Sequence, residues 1–346
     1  MKRHMTQIAA TLILATVFSA LPARLVSQTT KPTAVNLSKA VYQTSLPAPT
    51  NSYPFRYWDK GFLITYSIDD ASPQRPSAIL YDREGKIARE VIVSIEKAVS
   101  VSLSDVAVSG RGDIVVAGGT ESQAGVIANF VASIGSDGRV KRLVRTTPFT
   151  PAYVCAAEDG TVWVYGSDRD ENGRGIDSSL RLRQYSFDKG QIRSMLDATT
   201  LSVHGWKLSH GQYPGEISLR CNSKKVGLLN GGSSEWVEFD LSTNKLTVSK
   251  VEPLPSIKEM RITGVALTGA GDVFVSLHDR LSKPPHSGLF RLTFDNTGVG
   301  HWTAVENTLG PYLHGAAVGQ LLGADDNELV YTRDFDGTAY WSKYTK

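Results

Sequence analysis

Only two cysteines, Cys155 and Cys221, occur in the 346 residues, so disulfides do not build this fold; a hydrophobic core does. Basic clusters are missing too. The formal charge is +3, and removal of Lys2, Arg3 and Arg24 with a leader would bring it to zero, which leaves no general attraction for nucleic acid or anionic lipid. Past the first two dozen residues no stretch is apolar enough to span a membrane, and helical periodicity is hard to find after residue 28. The chain has no Gly-x-Ser-x-Gly elbow, no P-loop and no dinucleotide fingerprint, which argues against covalent serine catalysis and nucleotide chemistry.

The start of the chain reads as a secretory signal peptide. Lys2, Arg3 and His4 precede an apolar run from Ile8 to Ala20, and small residues follow at Ser19, Ala20 and Ala23. The run falls short of the ~20 residues that cross a bilayer, and Pro22 closes it. A leader over residues 1–28, cut somewhere between 20 and 28, and a single domain over 29–346 are expected. The mature protein is then secreted or periplasmic, with no membrane span.

Six stretches share one pattern, a tight turn followed by an apolar strand: WDKGFLITYS, SGRGDIVVAGG, AEDGTVWVYG, CNSKKVGLLNG, TGAGDVFVSL and GADDNELVYT. The strands begin near Phe62, Ile114, Val162, Val226, Val273 and Leu329, at spacings of 52, 48, 64, 47 and 56 residues. Such periods suit units of four strands, and a second strand that is continuously apolar suits burial on both faces. The expected fold class is all-β, a six-bladed β-propeller. The last unit lacks a fourth strand, and Ala34–Ser45 (AVNLSKAVYQTS) is expected to supply it, closing the ring. An all-β sandwich pair and a β-solenoid are the competing architectures, favoured by the irregular 64-residue spacing. The repeated turn before an apolar strand resembles the six-bladed propellers of the broad TolB-like and NHL-like kind over nearly the whole mature chain, although no WD pattern, YWTD repeat or complete Asp box accompanies it.

Cys155 and Cys221 precede Val162 and Val226 by seven and five residues, which keeps both on one strand face and allows them to pair between neighbouring inner strands; two buried free thiols are the alternative. Arg111-Gly112-Asp113 spells an integrin-binding tripeptide but falls where a tight turn needs Gly and Asp. It is read as a turn.

The longest loops, 197–215, 166–177 and 277–288, would emerge on one rim around the channel. That rim would collect Asp69, Asp168, His204, Trp206, His278, Asp279, Arg280, Tyr312, His314, Arg333 and Asp334 as ligand-binding candidates, with Trp206 and Arg280 giving contact area. Its carboxylates could hold Ca²⁺ or act as acid and base. Equally, loop histidines can be merely solvated, and each Asp can pair with the Arg beside it. The opposite rim, with minimal turns such as 110–113 and 136–138, is expected to bind little. The functional reading is a binding module for a small molecule, glycan or protein. The competing reading is a propeller enzyme, either a metal-assisted hydrolase or lactonase or a polysaccharide-acting lyase or glycosidase. Metal analysis separates the two, and fold alone does not.

Overall fold

The computed structural model describes residues 35–45, 56–67, 76–176, 178–196, 217–230, 235–252, 260–279, 286–306, 308, 310–311, 319–325, 327–333 and 337–345. Every regular element among them is a strand. The chain begins with β1 (Val35–Leu37) and β2 (Tyr42–Ser45), followed by a first sheet of β3 (Arg56–Asp59), β4 (Phe62–Tyr66), β5 (Ser77–Tyr81) and β6 (Ile87–Ile92). The second sheet holds β7 (Ala98–Val108), β8 (Ile114–Ser122), β9 (Ile127–Ile134) and β10 (Val140–Arg145). The third holds β11 (Phe149–Ala156), β12 (Val162–Asp168), β13 (Leu182–Ser186) and β14 (Gly190–Met195). In the fourth are β15 (Ile217–Cys221), β16 (Lys225–Asn230), β17 (Glu235–Asp240) and β18 (Lys245–Lys250). Then come β19 (Met260–Leu267), β20 (Val273–Asp279), β21 (His286–Phe294), β22 (Gly300–Glu306) and the short β23 (Gly310–Pro311). The last three are β24 (Gln320–Ala324), β25 (Glu328–Thr332) and β26 (Thr338–Thr345).

The first four sheets are antiparallel four-stranded meanders, and the remaining strands join into one ten-stranded sheet. The arrangement is propeller-like, yet hydrogen bonding counts five sheets where the repeat counts six units. The reason is β1. It pairs antiparallel with β26 (Leu37↔Tyr344) and parallel with β22 (Val35↔Val305), stitching β19–β22 to β24–β26. Further along the N-terminal segment, β2 pairs antiparallel with β26 from Tyr42↔Trp341 to Ser45↔Thr338. The N-terminal strands therefore cover the free edge of the final hairpin, an edge that would otherwise expose unpaired amides and carbonyls.

Alternation along the second strand of each unit explains how the sheets stack. On β12, Trp163 and Tyr165 pack towards Leu219 and Leu228 of the fourth sheet, whereas Val162 and Val164 pack towards Val115 and Val131 of the second. Likewise Ile64 of β4 faces the second sheet while Leu63 faces Val330 and Trp341 of β25 and β26. A strand buried on both faces is apolar throughout, which is why these strands stood out in the sequence. Six such clusters lie between consecutive units, and the last returns to the first sheet.

Turn chemistry is local. At Arg111-Gly112-Asp113 the Gly112 amide donates to the Ser109 carbonyl at φ +78°, and the Asp113 carboxylate pairs with Lys141 at 2.8 Å. The tripeptide is a β7–β8 turn held by its own ion pair. Cys155 and Cys221, on β11 and β15, are joined as a disulfide with Cα atoms 5.8 Å apart. It ties the first strands of the third and fourth sheets together.

Candidate functional site

The first strand of each unit, β3, β7, β11, β15, β19 and β24, touches its counterparts or neighbours in the next unit, and β24 returns to β3. Two glycines permit the closest approaches. A Cβ on Gly264 would fall 1.8 Å from the Leu321 carbonyl oxygen, and one on Gly323 would fall 2.4 Å from that of Trp58. Bulges interrupt the pairing of β7, β11, β19 and β24, between Leu103 and Asp105, Pro151 and Tyr153, Ile262 and Gly264, and Leu321 and Gly323. Each extra residue reverses the alternation, so the side chains on one face before the bulge lie on the other after it.

A polar cluster results. Asp105 is only 5 % exposed; its Oδ2 accepts the Val154 amide hydrogen at 2.8 Å, and its Oδ1 accepts a long hydrogen bond of 3.4 Å from the Tyr57 hydroxyl. Tyr66 donates to the Ser104 carbonyl at 3.1 Å and also hydrogen-bonds Asp105. The Arg220 guanidinium lies over the Tyr57 ring, 4.9 Å from its centre. Its Nε and Nη1 donate to the carbonyls of Val265 and Leu219 at 3.2 and 2.9 Å. Among the described residues no carboxylate lies within ion-pair distance of it. Tyr57 thus stands between a cation and a buried acid.

Burial dominates the acid. Removal from water raises Asp105 from 3.8 to about 6, against the opposing pull of the Val154 amide and of Arg220. Burial, followed by the Asp105 charge, also pushes the Tyr57 and Tyr66 hydroxyls well above their usual value, so both stay protonated donors. Near pH 6 the carboxyl is half protonated and can donate or accept. Asp59 shows the plainer use of an acid here: its Oδ2 accepts the Val108 amide at 3.1 Å and its Oδ1 pairs with Lys60 at 3.1 Å. Asp105 makes the corresponding latch to the next sheet, and in addition turns an oxygen towards the tyrosines.

Arg220 also lines a cavity of about 260 Å³. It is lined by Asp59 at the end of β3 and Lys60 after it, Glu158 after β11, Arg220 in β15 and Asn222 after it, Gly269 after β19 and Asp325 after β24. Walls drawn from five first strands around the ring place it on the axis. Trp58 donates its indole N–H to Asp325 at 2.8 Å, and the Asn222 side-chain amide donates to the Thr268 carbonyl at 2.8 Å, so the walls are braced between units. This mouth lies at the rim of the minimal turns, the rim expected to bind little. Short turns leave the converging ends of the first strands uncovered, and those ends supply the groups.

The opposite rim is only partly described. Asp168, at the end of β12, pairs with Arg183, whose guanidinium stacks 4.0 Å from the Phe149 ring centre. Arg333, just after β25, lies over the Tyr340 ring at 4.5 Å. Asp168 and Arg333 are each engaged within their own unit. His278 and Asp279 end β20 opposite Arg261 and Met260, and their side chains lie outside the description. Asp69, His204, Trp206, Arg280, Tyr312, His314 and Asp334 lie outside the described residues. Among the described residues no three His, Cys, Asp or Glu side chains are grouped to hold a metal ion, Ca²⁺ included. No helix long and apolar enough to cross a membrane occurs among the described residues.

No protein-family profile matches the sequence, and no curated protein matches it. Solved structures align with much of the chain. A Bacteroides fragilis protein named for its expected export shares 12 % identity over 90 % of this chain and 95 % of its own, with a TM-score of 0.49. A luciferin-regenerating enzyme shares 12 % over 88 % and 95 %, at 0.44. A Bacteroides caccae protein of unknown function shares 10 % over 77 % and 82 %, at 0.43. At such identities none of them lends this chain a role.

Proposed function

We propose that the protein is an exported six-bladed propeller, residues 29–346, that binds a small polar ligand carrying an anionic group in its axial mouth. The observation that carries this reading is Arg220: a half-buried guanidinium on the axial cavity, held by two carbonyls and the Tyr57 ring, with no ionic partner among the described residues. A fixed guanidinium of this kind suits a carboxylate, sulfate or phosphate. Six inter-unit clusters support six blades of the TolB-like or NHL-like kind, β1 fusing two of them by hydrogen bonds. The basic, then apolar start and the disulfide support export to a secreted or periplasmic location.

The test is a thermal-shift screen of small carboxylates, sulfates and phosphates on the mature protein. A ligand that raises the melting temperature of wild type, and of Trp206→Ala and Arg280→Ala in the loops that the sequence assigns to the opposite rim, but not of Arg220→Ala, supports the axial mouth. Loss in the opposite-rim pair with retention in Arg220→Ala overturns it.

A second reading is favoured by Asp105 alone. A carboxyl at about 6 beside two tyrosines suits general acid–base catalysis of hydrolysis. Turnover of a lactone, ester or glycoside that Asp105→Asn abolishes, with binding retained, would establish the enzyme.

A further inference from the structure

A second cavity, of about 570 Å³, lies between the fourth sheet and β19–β22, within the range of roughly 300–1,000 Å³ usual for small-ligand sites. Its charges cancel in pairs. Lys225 bonds Glu238 at 2.8 Å on one wall, and Arg291 bonds Asp272 at 2.7 Å on the other. A cleft so neutralised selects neither cation nor anion, yet it presents carboxylate oxygens and charged N–H groups on both sides. The hydroxyls of Thr247, Ser249 and Thr293 add groups that both donate and accept.

Two aromatic residues complete it. Phe294, at the end of β21, is 42 % exposed and lines the cleft. The Trp236 indole, at the wall, is only 1 % exposed and lies directly over β16, because residue 227 is glycine: a Cβ there would fall 2.3 Å from Cη2 of the indole. The Trp236 N–H in turn donates to Glu238 at 3.3 Å, aligning that carboxylate.

We infer that this inter-sheet cleft is a binding site for a neutral oligosaccharide. A pyranose ring offers an apolar C–H face to Phe294 and a girdle of uncharged hydroxyls, each donor and acceptor, to the paired ions and the Thr and Ser side chains. A charged ligand would break an ion pair to bind; a sugar hydroxyl bonds to the pair as it stands. The site is distinct from the axial mouth. The two nevertheless share their walls: Asn222 and Lys225 flank one turn, Gly269 and Gly271 the next, and each turn gives its first member to the mouth and its second to the cleft.

The experiment is isothermal titration of the mature protein with neutral hexasaccharides of glucose, mannose, xylose and N-acetylglucosamine. Two cleft variants, Phe294→Ala and the plugging Thr247→Trp, and one axial variant, Arg220→Ala, are titrated alongside; Phe294 and Thr247 are exposed, so both substitutions preserve the fold. At least one hexasaccharide binds, Phe294→Ala weakens it about tenfold or more, Thr247→Trp abolishes it, and Arg220→Ala leaves it unchanged. No binding at about 10 mM of any of the four, or binding untouched by both cleft variants, overturns the inference. Loss in Arg220→Ala alone assigns the sugar to the axial mouth and equally overturns it.

Discussion

Replacing Asp105 by asparagine should make the protein more stable at neutral pH. The folded state holds the Asp105 proton up to about pH 6, whereas an exposed carboxyl releases it at 3.8. Below 3.8 both states are protonated and the group is neutral in effect. Between 3.8 and about 6 the folded state binds the extra proton, so stability falls as pH rises, and above about 6 the loss is complete. At ~1.4 kcal/mol for each pH unit of displacement, ionising Asp105 in the fold costs about 3 kcal/mol. Asparagine keeps an oxygen for the Val154 amide and sheds the charge. Urea unfolding of wild type and Asp105→Asn from pH 3.5 to 8 measures this. The two curves should coincide at the acid end and diverge until the variant is the more stable by up to about 3 kcal/mol at pH 8. A variant of equal or lower stability at pH 8 would show that the charge is repaid by Arg220 and the amides, and that Asp105 is an inter-sheet latch rather than a strained functional group.

Three further outcomes follow from the packing. Cys155→Ser with Cys221→Ser opens a link between residues 66 apart in sequence and should lower stability by about 4 kcal/mol in the chain-entropy model, measured by urea unfolding under oxidising conditions. Gly264→Ala drives a methyl group into the Leu321 carbonyl where β19 meets β24, and should destabilise by about 3 kcal/mol or more; calorimetry that finds no change removes the close approach. Val35→Asp places a charge at a fully buried position of β1 and should free the β26 edge, read as loss of hydrogen-exchange protection at residues 338–345.

Much of the fold was legible because both faces of a second strand are buried: VFVSL and VWVYG carry no face to hide. The covering of β26 by the N-terminal segment was legible for the opposite reason, a missing partner at a sheet edge. The axial cluster was harder. Trp58 packs against Trp341, while the Tyr57 ring packs against the core between the first and second sheets and its hydroxyl reaches Asp105. A signal existed in the acid inside VSLSDVAV and the arginine inside ISLRC, charges that interrupt otherwise apolar strands. Which way they face was not readable, because the bulge between Leu103 and Asp105 reverses the alternation and no residue type in that stretch announces a bulge. Loop length pointed to the other rim, most of whose loops lie outside the described residues, whereas the axial mouth is made by strand ends.

A crystallographic fragment screen of the mature protein, with a library rich in small carboxylates, sulfates and phosphates, tests the central claim most directly. The account predicts fragments in the axial mouth with an anionic group against the Arg220 guanidinium, and an empty mouth in Arg220→Ala crystals. Fragments that gather only on the opposite rim, or that occupy the mouth equally without Arg220, would contradict it.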